Sequence, residues 1–187
     1  KTIDKNKSKN FLLNLRLALS RINTNEEGLV FDIRTSKDIE EFLNSENRKK
    51  YVKRLVVTPD HIIRTKGLPV FFDLNDLSLT ERYIHKEISS FATNYKKYFK
   101  TNSKGKKLKI LSPFPNLIWV KGMGLIGVSN SKASARITAD LGEQNLRIFL
   151  DFLKTKQRYV SLKEEDLFEM EYWSLEQAKL GKKKTQQ

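Results

Sequence analysis

The chain has 187 residues, a net charge of +14, 39% hydrophobic residues and 10% aromatic ones, which suits one ordinary packed domain and excludes a disordered polymer. It has no cysteine, which excludes disulfides and thiolate chemistry and points to a reducing compartment, read here as the cytosol. No apolar run approaches the roughly 20 residues of a membrane helix, and KTIDKNKSKN has no apolar signal region, so neither a membrane span nor secretion is expected.

Residues 10–23, NFLLNLRLALSRIN, set Leu12, Leu15, Leu19 and Ile22 at helical spacing with Phe11 beside the stripe, and predict a first helix. LVFDIR, residues 29–34, reads as a short strand. Ser36 offers an N-cap hydroxyl to a short helix carrying Ile39, Phe42 and Leu43. Leu55 to Val57 is a strand candidate cut off by Thr58-Pro59-Asp60, where proline removes a donor and a turn or a helix start follows. LPVFFDL, residues 68–74, is the next strand. Leu79 to Lys100 forms a long amphipathic helix with Ile84, Ile88, Phe91, Tyr95 and Phe99 inward.

Strands are then expected at Leu108 to Leu111 and, after a proline-containing link, at Asn116 to Val120. LIGVS follows a glycine-rich turn. Ser131 to Lys156 predicts a helix with Ile137, Leu141, Ile148 and Phe152 on its apolar side, and Lys163 to Leu180 a last acidic-aromatic helix before the basic tail KKKTQQ. The alternation predicts an α/β fold: a mixed sheet of the Leu29, Val70, Leu108, Leu117 and Leu125 strands flanked by helices. Residues 1–160 read as the main domain and 161–187 as a C-terminal helix and linker. The first residue, Lys1, suggests an amino terminus made by truncation or processing.

Gly122-Met123-Gly124-Leu125-Ile126-Gly127 matches the G-x-G-x-x-G spacing of a dinucleotide fingerprint. That fingerprint opens a helix within the motif and ends the following strand on an acidic residue. Here LIGV reads as extended and no further strand follows, so Gly122, Gly124 and Gly127 are expected to serve a tight strand-turn-strand. A metal centre is not expected: His61 and His85 are the two histidines, without His-x-His or His-Glu-x-x-His spacing.

Thr58 to Lys66, TPDHIIRTK, is the densest chemical stretch. Arg64 and Lys66 could hold a phosphate or an anionic sugar, the first as a fork and the second as a point charge. The same residues also fit a capped turn with solvated cations. His61 and Lys66 are the candidate catalytic groups. A Schiff-base role for Lys66 requires burial to depress its pKa, and the neighbouring Thr65 and Gly67 suggest an open turn instead. Asp60, His61, Arg64 and Lys66 are therefore expected as a structural or interface cluster at a strand edge. The basic run from Lys96 to Lys109, interleaved with Tyr95, Tyr98 and Phe99, gives the alternative reading, a nucleic-acid-binding module using charge and stacking.

Four stretches together resemble one family: TPDHIIRTK at 58–66, WVKGMG at 119–124, ASARITAD at 133–140 and EYWSLEQAKL at 171–180. They look like the middle section of the bifunctional rhamnulose-1-phosphate aldolase/alcohol dehydrogenases, in which a class II aldolase/adducin-type region precedes a short-chain dehydrogenase. The resemblance implies a class II aldolase/adducin-like fold, a sugar-phosphate substrate, a homo-oligomer, and zinc and NAD in the full-length parent. It also implies contacts with the rest of that polypeptide. The zinc-binding His-x-His pair and Asn-His-Gly turn of that family are missing, and Lys121 to Gly124 stand where the turn's histidine would sit. A degenerate, metal-free second copy of part of the aldolase fold is the expectation. Tyr159 and Lys163 share the spacing of the dehydrogenase Tyr-x-x-x-Lys pair, but no nucleotide-binding unit precedes them, and the match is read as coincidence.

Overall fold

The buried run LIWV, residues 117–120, is apolar on both faces because it lies inside a sheet covered on both sides. The computed structural model describes residues 5–23, 28–46, 58–77, 79–155 and 160–181. Its elements are α1 (Lys5–Ser20), β1 (Val30–Arg34), α2 (Lys37–Asn44), α3 (Pro59–Thr65), β2 (Val70–Asp73), α4 (Glu81–Asn102), β3 (Leu117–Lys121), β4 (Gly124–Ser129), α5 (Lys132–Thr155), α6 (Glu164–Glu171) and α7 (Ser174–Gly181). The four strands form one sheet in the order β1-β4-β3-β2. β4 is antiparallel to both β1 and β3, whereas β2 runs parallel to β3.

Alternation along the strands divides the core in two. Ile118, Val120, Ile126 and Val128 face α1 and α4, where Phe11, Leu15, Leu19, Ile84 and Ile88 complete one cluster. Leu117, Trp119 and Leu125 face α2 and α5, against Phe42, Leu146 and Phe149. The Trp119 indole meets the Phe42 ring edge to face at 4.9 Å, a favoured aromatic geometry. The Ser36 and Thr80 hydroxyls accept hydrogen bonds from the backbone amides of Ile39 and Tyr83 and so cap α2 and α4.

The mixed α/β architecture matches the expectation, and several details differ. Leu108 to Leu111 forms no strand: Leu108 is exposed, and the Leu111 amide goes to the Tyr172 hydroxyl instead of to a ladder. The first helix starts at Lys5, earlier than its apolar stripe. The last helix is two helices, broken at Tyr172 and Trp173. On α5 the inward side carries Ala135, Thr138, Ala139 and Gly142, whereas Ile137 is 39% exposed. Small residues are needed there because β4 and α5 approach closely, a Cβ on Gly127 falling 2.3 Å from the Ala135 carbonyl oxygen. The strand candidate at 55–57, Tyr159 and the tail at 182–187 lie outside the described residues.

Candidate functional site

Proline at the first position, which needs no amide hydrogen there, starts α3 after the extended Thr58. One turn on, His61, Ile62, Ile63 and Thr65 point inward, and Ile62 and Ile63 pack against Leu167 and Met170 of α6. The helix stops at Lys66, whose φ of 62° and ψ of 173° belong to a region that glycine alone enters easily. Such a conformation costs on the order of 1–3 kcal/mol. Gly67 follows directly, yet the positive-φ glycines among the described residues are Gly105, Gly122 and Gly124. The unfavourable torsion falls on the lysine.

Lys66 is 5% exposed. Its Nζ donates to the Ser112 carbonyl at 2.6 Å and sits 3.9 Å from the centre of the Tyr95 ring, a cation–π geometry. Burial lowers its pKa to about 8, and the nearby Glu171 opposes that fall. The open turn expected from Thr65 and Gly67 is therefore corrected. The segment from Leu111 to Ser112 and helices α4 and α6 close over the lysine.

The Tyr95 hydroxyl donates to Glu171 Oε1 at 2.7 Å and shares a 2.9 Å hydrogen bond with the Tyr172 hydroxyl, which accepts from the Leu111 amide at 3.3 Å. Burial raises the Glu171 pKa, against the lowering influence of Lys66 and of the tyrosine hydroxyls. Burial likewise raises Tyr95 and Tyr98, with Glu171 adding to both, and pushes Tyr172 up to about 12. The Tyr98 hydroxyl and Glu171 Oε2 make no well-formed hydrogen bond among the described residues, although each is close enough to influence the other's protonation.

Over this cluster lies a cleft of about 560 Å³ between the end of α3, the middle of α4 and the start of α6, within the size range of small-molecule sites. Lys66, Tyr95 and Tyr98 line it together with Leu68, Phe91, Leu162 and Leu167, and Glu87 and Glu164 contribute carboxylates.

The other predicted residues go elsewhere. His61 is buried with Nδ1 2.8 Å from the Thr58 hydroxyl. Its Nε2 has no partner in good geometry among the described residues, although the Leu141 carbonyl favours the charged form, and burial lowers its pKa. His61 is not among the residues that line the cleft. Arg64 is half-buried and also does not line it, so the expected anion pair of Arg64 and Lys66 is not assembled there. Asp60 reaches Lys179 on α7 at 3.2 Å. The cluster forms at a helix end clasped by α4, α6 and α7, which corrects the strand-edge placement.

Among the described residues no group of three or more His, Cys, Asp and Glu is placed to hold a metal. The residues here do not fit a zinc site. They do not fit a dinucleotide site either: Gly122 and Met123 form the β3–β4 hairpin turn, Gly124 and Gly127 lie within β4, and α5 opens beyond the motif at Lys132. The aromatics of the basic run are also turned inward. Tyr95 is buried, Tyr98 packs edge to face on Phe168 at 5.5 Å, and Phe99 lies 5.3 Å from Tyr172, leaving the exposed lysines without a stacking platform. Lys106 pairs with Glu169.

Sequence reasoning missed Glu171 and Tyr172 as site residues, and named Tyr95 and Tyr98 for nucleic-acid stacking and not for this cleft. Their signal was a carboxylate embedded in aromatics, in FEMEYW, facing a helix whose inward stripe carried tyrosines.

Three of the four resembling stretches meet at α3. Helices α6 and α7 pack on one side of it, and on another the Thr138 hydroxyl of α5 donates to the Arg64 carbonyl at 3.4 Å. No helix of the described residues is long and apolar enough to cross a membrane.

Comparison with known proteins agrees with this architecture. The chain is 24% identical over 182 residues to the "Uncharacterized oxidoreductase YuxG" of Bacillus subtilis, covering 95% of this chain and 26% of that protein. It therefore spans about a quarter of that relative. In fold it is similar to YgbL of Escherichia coli, described as a candidate aldolase/epimerase/decarboxylase, with a TM-score of 0.53, 14% identity, and coverage of 86% of this chain and 65% of that one. Residues 6–180 match the family described as aldolase class II, second domain, and this chain belongs to that family.

Proposed function

We propose that this chain is the second domain of a longer cytosolic enzyme, a class II sugar-phosphate aldolase joined to a short-chain alcohol dehydrogenase. In it the domain supports fold and homo-oligomeric assembly, while zinc and NAD are held by other parts of the polypeptide. The observation that carries this reading is the family match over residues 6–180, within which the first and last of the four resembling stretches are tied together. The 58–66 stretch is clasped to the 171–179 stretch through Asp60 and Lys179 on the outside, and inside through Lys66, Tyr95 and Glu171. Such a tie holds α3 against α6 and α7. The relative of which this chain spans a quarter bears the name of an oxidoreductase, in keeping with a further redox unit.

Zinc in a class II aldolase supplies the electrophile that stabilises the enolate formed when the carbon–carbon bond breaks. Among the described residues neither histidine belongs to a group of three or more possible ligands, His61 lying beside the Thr58 hydroxyl and His85 on α4. In the full-length enzyme, His61→Ala is expected to lower the melting temperature and weaken assembly more than turnover per folded molecule. Melting temperature, oligomer size and kcat measured on one preparation test this. A kcat fall of about a thousandfold with unchanged melting and assembly would overturn it, being on the scale of a lost general acid or base.

A further inference from the structure

We infer that Lys66 is an imine-forming residue, whose amine condenses with a small uncharged aldehyde or ketone admitted to the cleft between α3, α4 and α6. This goes beyond the supporting role, because α3 stays joined to α6 and α7 without the amine, through Ile62 and Ile63 against Leu167 and Met170 and through Asp60 and Lys179. Three features single out the lysine.

The first is the backbone. A left-handed torsion is held at Lys66 although a glycine follows it, and strain of this kind persists where the surroundings over-determine a functional geometry. It aims the side chain under α4 instead of outward to water.

The second is the setting of Nζ. The amine is withdrawn from solvent, with the Tyr95 face on one side and the Ser112 carbonyl on another. Burial favours the neutral, nucleophilic form, as the lowered pKa of about 8 expresses. The opposing charge is Glu171.

The third is the cleft. Leu68, Phe91 and Leu162 give it apolar walls, and Glu87 and Glu164 bring carboxylates that repel an anionic ligand. A neutral carbonyl compound is the class these walls accept. Tyr98 also lines the cleft, its hydroxyl close to Glu171.

In the reaction, neutral Nζ attacks the carbonyl carbon and the C=O π pair moves to oxygen. One N–H proton passes to that oxygen, giving a carbinolamine. The nitrogen lone pair then expels the hydroxyl, which takes the second proton and leaves as water, and a C=N bond remains. Nothing is oxidised or reduced.

The chain's other lysines serve as internal competitors. The folded 187-residue chain is treated at pH 8 with limiting propanal and cyanoborohydride, which reduces the imine to a stable secondary amine, and the modified peptides are mapped by mass spectrometry. Lys66 is expected to be labelled about tenfold faster than the exposed Lys97 and Lys107, because burial holds much of its amine in the neutral form at that pH. In urea the preference is expected to vanish, and in Lys66→Arg the fast phase disappears while surface labelling is unchanged. Labelling of folded Lys66 no faster than that of Lys97 and Lys107, or a preference that survives unfolding, would overturn the inference. The readout follows the amine alone, so its failure leaves the domain's supporting role untouched.

Discussion

Tyr95 on α4 gives its hydroxyl hydrogen to Glu171 on α6 at 2.7 Å, across 76 positions of sequence, while the face of the same ring carries the Lys66 ammonium at 3.9 Å. One tyrosine thus mediates between a buried acid and a buried base. Tyr95→Phe keeps the ring and removes the donor, so Glu171 Oε1 loses its partner. An unsatisfied buried carboxylate of this kind costs about 1–3 kcal/mol. Urea unfolding should show a lower midpoint with an unchanged slope, and an unchanged midpoint would mean that the hydroxyl is dispensable.

The same cluster predicts a pH dependence with a definite sign. Lys66 is depressed from 10.5 to about 8 in the folded chain, so between those values the unfolded chain binds more protons at this site. Stability therefore rises with pH across that window. The buried tyrosines act oppositely above their ordinary range, because their folded pKa values are raised. The comparison is thus with Lys66→Met. Melting temperature of the unsubstituted chain minus that of Lys66→Met should climb from pH 8 to 10, and a flat difference would contradict the assigned shift.

Gly127 and Gly67 form a matched pair for the packing argument. A Cβ on Gly127 would lie 2.3 Å from the Ala135 carbonyl oxygen and 2.8 Å from the Ala139 amide, whereas one on Gly67 meets nothing within 4 Å. Gly127→Ala must push α5 off the sheet, and overpacking of this sort costs roughly 1–3 kcal/mol or more. Gly67→Ala should stay within about 0.5 kcal/mol of the parent. Equal effects in denaturant melts would remove the close helix–strand approach as the reason for that glycine.

Legibility followed the size and local order of the signal. LIWV, LIGVS and the amphipathic Leu79–Lys100 stretch announced their elements, because apolar periodicity reports burial directly. Helix α5 misled in its orientation: reading by bulk put Ile137 inward, but the sheet approaches so closely that Ala135, Ala139 and Gly142 are the residues that fit. The 108–111 segment looked like a strand, but it is an irregular span whose Leu111 amide goes to the Tyr172 hydroxyl, and the carbonyl of the next residue, Ser112, accepts from Lys66. Of the site, Lys66 and His61 were visible as residues, but their burial was not. It depends on α4 and α6 folding back over α3, a long-range event that no local window contains.

The exposed lysines from Lys96 to Lys109 supply charge without aromatic stacking, since Tyr95, Tyr98 and Phe99 pack inward. Single-stranded DNA should give no retention at moderate salt in fluorescence anisotropy. Tight binding that falls steeply with the logarithm of salt concentration would restore the nucleic-acid reading.

The central claim is that this domain supports a metal-dependent enzyme without holding the metal itself. Zinc measured by elemental analysis after dialysis, on this chain and on the full-length enzyme in one buffer, tests it most directly. The account predicts none bound stoichiometrically to the 187-residue chain and zinc retained by the full-length protein. One zinc per chain in the isolated domain, lost on His61→Ala, would contradict it.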